Sequence, residues 1–292
     1  MITNYELRER MRKVIRPNLQ TLLLIALIVA LPGLIANVIV ARTGSDLTTY
    51  LFTHGIDTSS TSEQLLDAMT QFSVERGWVL LALSLLSLLI TSVLELGFVN
   101  ALLTLMRGGT ATVGNVFSHL SHVLRAALLT LWTALKMFLW AMPGIALVIL
   151  ALFAGLVSDF LGMVAASAGS ILLAVLPIMA YYRYALANVF LADEPETGVL
   201  DCVRRSKAVM KGRKLQLFTL TLPFNFGRML AIMLGVQLLG YVFGNLVSMV
   251  VQLVISVYVT GAICAFYEAY ARPDGGRAHA FQTDPYHGEM QE

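Results

Sequence analysis

The sequence predicts an all-α membrane protein, a bundle of six transmembrane helices with three amphipathic helices on its cytoplasmic side. Of its residues, 57% are hydrophobic and 13% are charged, whereas soluble domains average about 45–50% apolar and 25% charged residues. Most of the chain lies in apolar runs that can cross a hydrocarbon core about 30 Å thick. Lysine and arginine are concentrated in alternate connections, as in multi-span proteins.

The chain begins with a predicted amphipathic helix. Thr3 and Glu6 have the spacing of a capping box, which predicts a helix start. The apolar residues that follow share one face: Leu7, Met11, Val14 and Ile15. The basic residues occupy the remainder: Arg8, Arg10, Arg12, Lys13 and Arg16. This pattern is typical of a helix that lies on an anionic membrane surface, and Pro17 ends it.

Six long apolar segments follow, and residues 1–272 are interpreted as a single membrane domain. The predicted spans cover residues 19–41, 78–106, 124–152, 160–191, 215–243 and 246–270. Prolines inside some of these spans are tolerated where neighbouring helices or water satisfy the freed backbone groups. The polar loop 42–76 is predicted to hold a short amphipathic helix around Leu65, Met69 and Phe72. Residues 273–292 form a polar cytoplasmic tail.

Basic residues predict the orientation of the bundle. Five occur in the first helix and seven in residues 183–214, whereas the acidic loop 42–76 has only Arg42 and Arg76. Because basic loops stay in the cytoplasm, both termini are predicted to be cytoplasmic. The protein is therefore expected in the cytoplasmic (inner) membrane of a bacterium.

Two further amphipathic segments resemble the first in position. One begins at Thr112, with its apolar face formed by Val113, Val116, Phe117, Leu120 and Leu124. The other begins near Thr197 and ends before Gly212, with its face formed by Val199, Cys202, Val203, Ser206, Val209 and Met210. Each precedes a pair of spans, which predicts a threefold repeat of amphipathic helix plus helical hairpin. The alternative is that these are ordinary basic linkers of a multi-span protein.

Several stretches resemble a known family. They are residues 184–198, residues 206–214, Leu217-Phe218 and residues 266–270. Together they resemble the bacterial integral-membrane family known as domain of unknown function 975, most clearly over residues 180–272. The family pattern has a tryptophan where this chain has Arg228. The family is similar in layout to membrane domains that accompany some glycerophosphodiester phosphodiesterases, which implies envelope or lipid work by analogy alone.

Three charged residues lie deep inside predicted spans: Glu95, Lys136 and Arg228. Counted from Arg107 and Arg125, Glu95 and Lys136 both lie about 16–18 Å below the cytoplasmic edge. Their equal depth predicts an ion pair. This cluster is either a midplane polar site for a substrate or proton, or a buried pair that fixes helix register.

A basic segment is predicted to contact anionic lipid head groups. Its cations are Arg204, Arg205, Lys207, Lys211, Arg213 and Lys214. The alternative is that these residues only set topology. His119 and His122 lack a nearby carboxylate or cysteine, so no metal is predicted.

No catalytic residue set, cofactor motif or nucleic-acid-binding pattern is recognised in the sequence. The sequence therefore favours a non-enzymatic membrane protein that acts on the cell envelope through lipids or a membrane protein partner. A small transporter or channel-like protein with a midplane polar site is the alternative. An intramembrane enzyme is the least favoured function.

Overall fold

A computed structural model describes residues 3–42, 47–56 and 60–272, and the predicted tail lies outside these ranges. Within them every regular element is helical, which confirms the all-α fold. The helices are α1 Asn4–Ile15, α2 Leu19–Arg42, α3 Leu47–Thr53, α4 Ser62–Met106, α5 Val123–Val157, α6 Asp159–Tyr184, α7 Ala187–Asp193, α8 Val199–Val209 and α9 Lys214–Tyr270. Two 3-10 turns, Val113–Phe117 and Leu120–His122, precede α5.

Five stretches of the described residues are long and apolar enough to cross a membrane. They are Leu19–Val40, Glu63–Met106, Val113–Gly155, Asp159–Asp193 and Val247–Tyr270. The predicted span 215–243 is not among them. It belongs to the 57-residue helix α9, in which the sequence predicts two separate spans.

Helix α9 folds back on itself. The rings of Phe224 and Tyr258 stack with their centroids 5.5 Å apart, although a straight helix would separate these residues by about 51 Å. Ser248 donates a hydrogen bond of 3.3 Å to the carbonyl oxygen of Ala231. The chain direction therefore reverses between Ala231 and Ser248. The two segments on either side of this reversal are called the first and second arms of α9.

Three helical hairpins form the bundle. The first pairs α2 with α4, where the Ser87 hydroxyl donates to the Pro32 carbonyl at 3.4 Å. The second pairs α5 with α6 along small residues: a Cβ added at Gly162 would lie 2.7 Å from the Cα of Gly155. Such small residues let helix backbones approach closely. The third hairpin consists of the two arms of α9.

Two other predicted spans also differ from the helices observed. Helix α4 begins at Ser62, with a capping box between Thr61 and Gln64, so the predicted loop helix is its first part. Helix α6 ends at Tyr184, and a turn separates it from α7, so two helices form the predicted span 160–191, which lies within the apolar stretch Asp159–Asp193. At this break the Ser206 hydroxyl donates to the Arg183 carbonyl at 3.1 Å. This bond satisfies a carbonyl that a continuous helix would use internally.

Helices α1 and α8 form as predicted. The capping box is present, since the Thr3 hydroxyl accepts from the Glu6 amide at 3.3 Å. Leu7, Met11 and Ile15 of α1 are buried. On the predicted face of α8, Val199 is half-buried and the other five residues are buried: Cys202, Val203, Ser206, Val209 and Met210. After α8, Gly212 adopts a φ of +77°, a conformation that favours glycine at the end of a helix.

The prediction of an amphipathic helix that begins at Thr112 is wrong. Residues 113–122 make 3-10 turns, in which Val116 is buried but Phe117 and Leu120 are about half exposed. The reason is a close backbone approach. The main chain of Val116 lies so near Gly97 of α4 that any side chain at position 97 would overlap it.

Each amphipathic segment (α1, residues 113–122 and α8) packs on a hairpin other than the one it precedes. Helix α1 lies on the third hairpin, where Met11 and Ile15 cover Gly261. Residues 113–122 lie on α4 of the first hairpin, and α8 contacts α5 and α6 of the second. The three hairpins are therefore connected in a ring by the amphipathic segments.

Candidate functional site

The ends of the three hairpins meet at Arg107, which directly follows α4. Its guanidinium lies 2.6 Å from a carboxylate oxygen of Asp193 and 2.8 Å from one of Glu268. The Tyr267 hydroxyl donates to the other Asp193 oxygen at 2.8 Å. Hydrogen bonding to Asp193, and then to Glu268, raises the pKa of Arg107 above its already high value. We call these four residues the Arg107 junction.

Two further ion pairs extend from the same turn. Arg125 contacts Glu196 at 2.8 Å, and Arg205 contacts Glu194 at 2.7 Å. The hydrogen bond from Arg125 lowers the pKa of Glu196. These pairs were not predicted from the sequence, which assigned Arg125 to topology and Arg205 to topology or lipid head groups. The run of acidic residues that begins at Asp193, directly after an apolar segment, is the sequence feature that indicates these ion pairs.

A cavity of about 330 Å³ lies between the hairpins, and we call it the central cavity. All three hairpins and α7 contribute to its wall. The lining residues are Ala26, Val29, Glu95, Phe98, Val99, Thr133, Met137, Tyr181, Tyr184, Ala185, Asn188, Val189, Ser256, Thr260 and Ile263. Glu95 is the only carboxylate in this set.

Glu95 has no ion-pair partner among the described residues. Asn188 and Thr260 also line the cavity, and within the described chain no hydrogen bond joins their side chains to another residue. By contrast, the hydroxyls of Thr133 and Ser256 are bonded within their own helices. The cavity thus offers a carboxylate, an amide and a hydroxyl to a polar ligand.

The predicted ion pair between Glu95 and Lys136 is not formed. The Lys136 amine lies 4.9 Å from the centre of the Trp132 ring and lines a different cavity. On α5, Thr133 and Met137 are four positions apart and line the central cavity. Lys136 belongs to a neighbouring face of the helix. The third predicted member of the cluster, Arg228, is exposed and lines neither cavity.

The second cavity, of about 460 Å³, lies between α5, α6 and α8, and we call it the cationic cleft. It is lined by Trp132, Lys136, Leu139, Trp140, Arg183, Tyr184, Leu200, Val203, Arg204 and Lys207. Four of these residues are cationic and none is acidic. The guanidinium of Arg183 lies 5.8 Å from the centre of the Trp140 ring.

The structure separates the six basic residues that the sequence assigns to lipid head groups. Arg204 and Lys207 line the cationic cleft. Arg205 is paired with Glu194, and the Arg213 guanidinium lies 4.9 Å from the centre of the Tyr270 ring. Neither Lys211 nor Lys214 lines the cleft.

Comparison with known proteins identifies a family for this chain. The model of the family described as "Protein of unknown function (DUF975)" matches residues 1–272. No curated protein and no solved structure matches the chain. Because the family match extends from the first residue to the end of the second arm of α9, the chain belongs to the DUF975 family of proteins of unknown function.

Proposed function

We propose that this protein is a small transporter or channel-like protein whose central cavity binds a proton or a small cationic solute at Glu95. One observation carries the proposal. Glu95 is a carboxylate without a cationic partner in the described chain, and it lines a 330 Å³ cavity whose wall includes all three hairpins. Ligand sites between repeated units near the midplane are typical of transporters.

The depth of Glu95 supports this assignment. It lies twelve residues before Arg107, which corresponds to about 18 Å along a helix. The hydrocarbon core is about 30 Å thick, so Glu95 lies near its middle. A charged side chain there is costly and marks a functional site by default. Since its predicted partner Lys136 faces elsewhere, Glu95 is better explained as a ligand-binding group than as half of a buried pair.

The proposal includes six spans, with the two arms of α9 as the last two, and a threefold repeat of amphipathic segment plus hairpin. The fold-back between Phe224 and Tyr258 supports the sixth span. The ring of amphipathic segments supports the repeat. The distribution of basic residues supports a topology in which both termini lie in the cytoplasm of a bacterial cell and the bundle lies in its inner membrane.

Solute flux tests this function directly. The full-length protein is reconstituted into vesicles, and proton, sodium and potassium fluxes are each measured with an ion-sensitive dye. We expect flux of one of these ions above that of protein-free vesicles, and a loss of at least about tenfold in Glu95→Gln. Glu63→Gln, an exposed change in the first turn of α4, is the matched control and leaves the flux unchanged. Equal flux in the wild type and Glu95→Gln would exclude the role of Glu95.

Action on the envelope through lipids or a membrane protein partner is the second candidate function. The exposed face of α1 favours this second function, because Arg10, Arg12 and Arg16 are exposed while the opposite face packs on α9. Native purification followed by mass spectrometry tests this candidate. It predicts a lipid or protein that is retained by the wild type and lost when these three arginines are changed to glutamine. Identical co-purifying molecules in both samples would argue against it.

A further inference from the structure

The cationic cleft has an excess of positive charge that carboxylates of the described residues do not neutralise. Of its four cations, only Arg204 has a carboxylate within ion-pair distance among the described residues, namely Asp201 at 3.5 Å. Lys136 and Arg183 are half-buried and contact aromatic rings. Three cations around one concave surface repel each other, so the cleft favours an anion.

The geometry of the cleft also restricts the type of anion. Cationic groups from α5, α6 and α8 converge on a volume of about 460 Å³. Arginine and lysine donate several hydrogen bonds to phosphate oxygens. A single phosphate group presents enough acceptor oxygens to contact more than one of these side chains at once.

The remaining wall of the cleft is apolar and aromatic. Trp132, Leu139, Trp140 and Leu200 lie beside the cations. Leu139 is exposed and Leu200 is 51% exposed, so this wall continues onto the outer surface of the bundle. Charged groups beside such a wall suit a molecule with an anionic head and an apolar tail.

We propose that the cationic cleft is a phosphate-binding site, formed by Lys136, Arg183 and Lys207. The phosphate is carried by an anionic phospholipid whose acyl chain lies along Leu139 and Trp140, or is free inorganic phosphate. This site is distinct from the central cavity and does not depend on the function proposed for Glu95. Neither Lys136 nor Arg183 belongs to the basic segment that the sequence assigns to head groups.

Native mass spectrometry of the full-length protein tests the site with defined probes. The protein is titrated with phosphatidylglycerol, with phosphatidylcholine as the zwitterionic probe, and with inorganic phosphate as a competitor. We expect Lys136→Gln combined with Lys207→Gln to weaken phosphatidylglycerol binding about 30-fold. The matched control, Lys211→Gln combined with Lys214→Gln, removes the same charge outside the cleft and keeps wild-type affinity.

The competitor distinguishes the two sources of phosphate. Phosphatidylglycerol binding that persists in excess inorganic phosphate identifies the lipid as the ligand. Displacement by inorganic phosphate, with the same loss in the cleft variant, identifies free phosphate. Equal weakening in the cleft and control variants would overturn the site, because it would reveal a diffuse surface effect. If the double variant does not fold, the exposed Lys207→Gln change alone is expected to weaken binding about fivefold.

Discussion

The guanidinium of Arg107 lies 2.6 Å from the carboxylate of Asp193, although 86 positions separate the two residues in sequence. The same guanidinium reaches Glu268, 161 positions away. One side chain at the end of the first hairpin therefore holds the ends of the second and third. The Arg107 junction fixes the hairpins relative to each other around the central cavity.

Replacing Arg107 with glutamine is expected to destabilise the bundle. The side chains of Asp193 and Glu268 are only 16% and 19% exposed. Asp193 would therefore remain largely buried without an ion-pair partner, while Glu268 would keep only Arg272 at 3.2 Å. We expect a loss of about 2–4 kcal/mol, between the values of exposed and buried pairs. Thermal unfolding can be followed with a thiol-reactive dye, because Cys202 and Cys264 are buried in the folded protein.

Arg204→Gln is the control for this change, since its pair with Asp201 is exposed and 3.5 Å long. Its melting temperature should stay close to that of the wild type. If Arg107→Gln melts at the same temperature as Arg204→Gln, the junction does not stabilise the bundle.

Gly97→Ala is expected to disrupt the contact between α4 and residues 113–122. A Cβ at position 97 would overlap the main chain of Val116, which cannot move as a flexible side chain does. We expect a loss of about 1–3 kcal/mol. Gly77→Ala in the same helix meets no atom within 4 Å and should stabilise the helix by about 0.5–1 kcal/mol. Urea unfolding of both variants should give shifts of opposite sign, and a stabilised Gly97→Ala would contradict the close approach.

Cross-linking should detect the fold-back of α9. A Cβ at Gly227 would lie 4.0 Å from the side chain of Ile255, whereas a straight helix would separate the two by about 42 Å. In a variant without native cysteines, Gly227→Cys with Ile255→Cys should be linked by a short bifunctional thiol reagent. Gly227→Cys alone should give no internal link. Failure to link the pair in the folded protein would contradict the hairpin.

Thiol reactivity should report the environment of Cys202. Burial raises the pKa of this thiol to about 11, whereas an ordinary cysteine has a pKa of about 8.5. Because the thiolate is the reactive form, maleimide labelling of Cys202 should be slow at pH 8 and accelerate towards pH 11. In Cys264→Ser protein unfolded in detergent, labelling at pH 8 should be fast. Fast labelling of the folded protein at pH 8 would contradict the buried position of Cys202 on α8.

Local patterns predicted the amphipathic helices correctly where the determining contacts are close in sequence. Thr3 and Glu6 cap α1 as expected. The amphipathic helix predicted for residues 113–122 does not form, because the contact of Val116 with Gly97 is tertiary and overrides the helical periodicity.

The candidate site was predicted only in part, for a geometrical reason. Counting residues from a helix end gives the depth of Glu95 and Lys136, but it does not give their direction around the helix axis. That direction places Glu95 in the central cavity and Lys136 in the cationic cleft. The partners of Arg107 were missed because they lie 86 and 161 positions away.

The packing of α1 has a consequence for biosynthesis. This helix is synthesised before α9, yet its buried residues Leu7, Met11 and Ile15 rest on α9. While the ribosome is still translating the second hairpin, the α9 surface on which α1 packs does not yet exist. Its apolar face therefore lacks this partner until the third hairpin is synthesised. Synthesis of α9 is thus the event that buries this face.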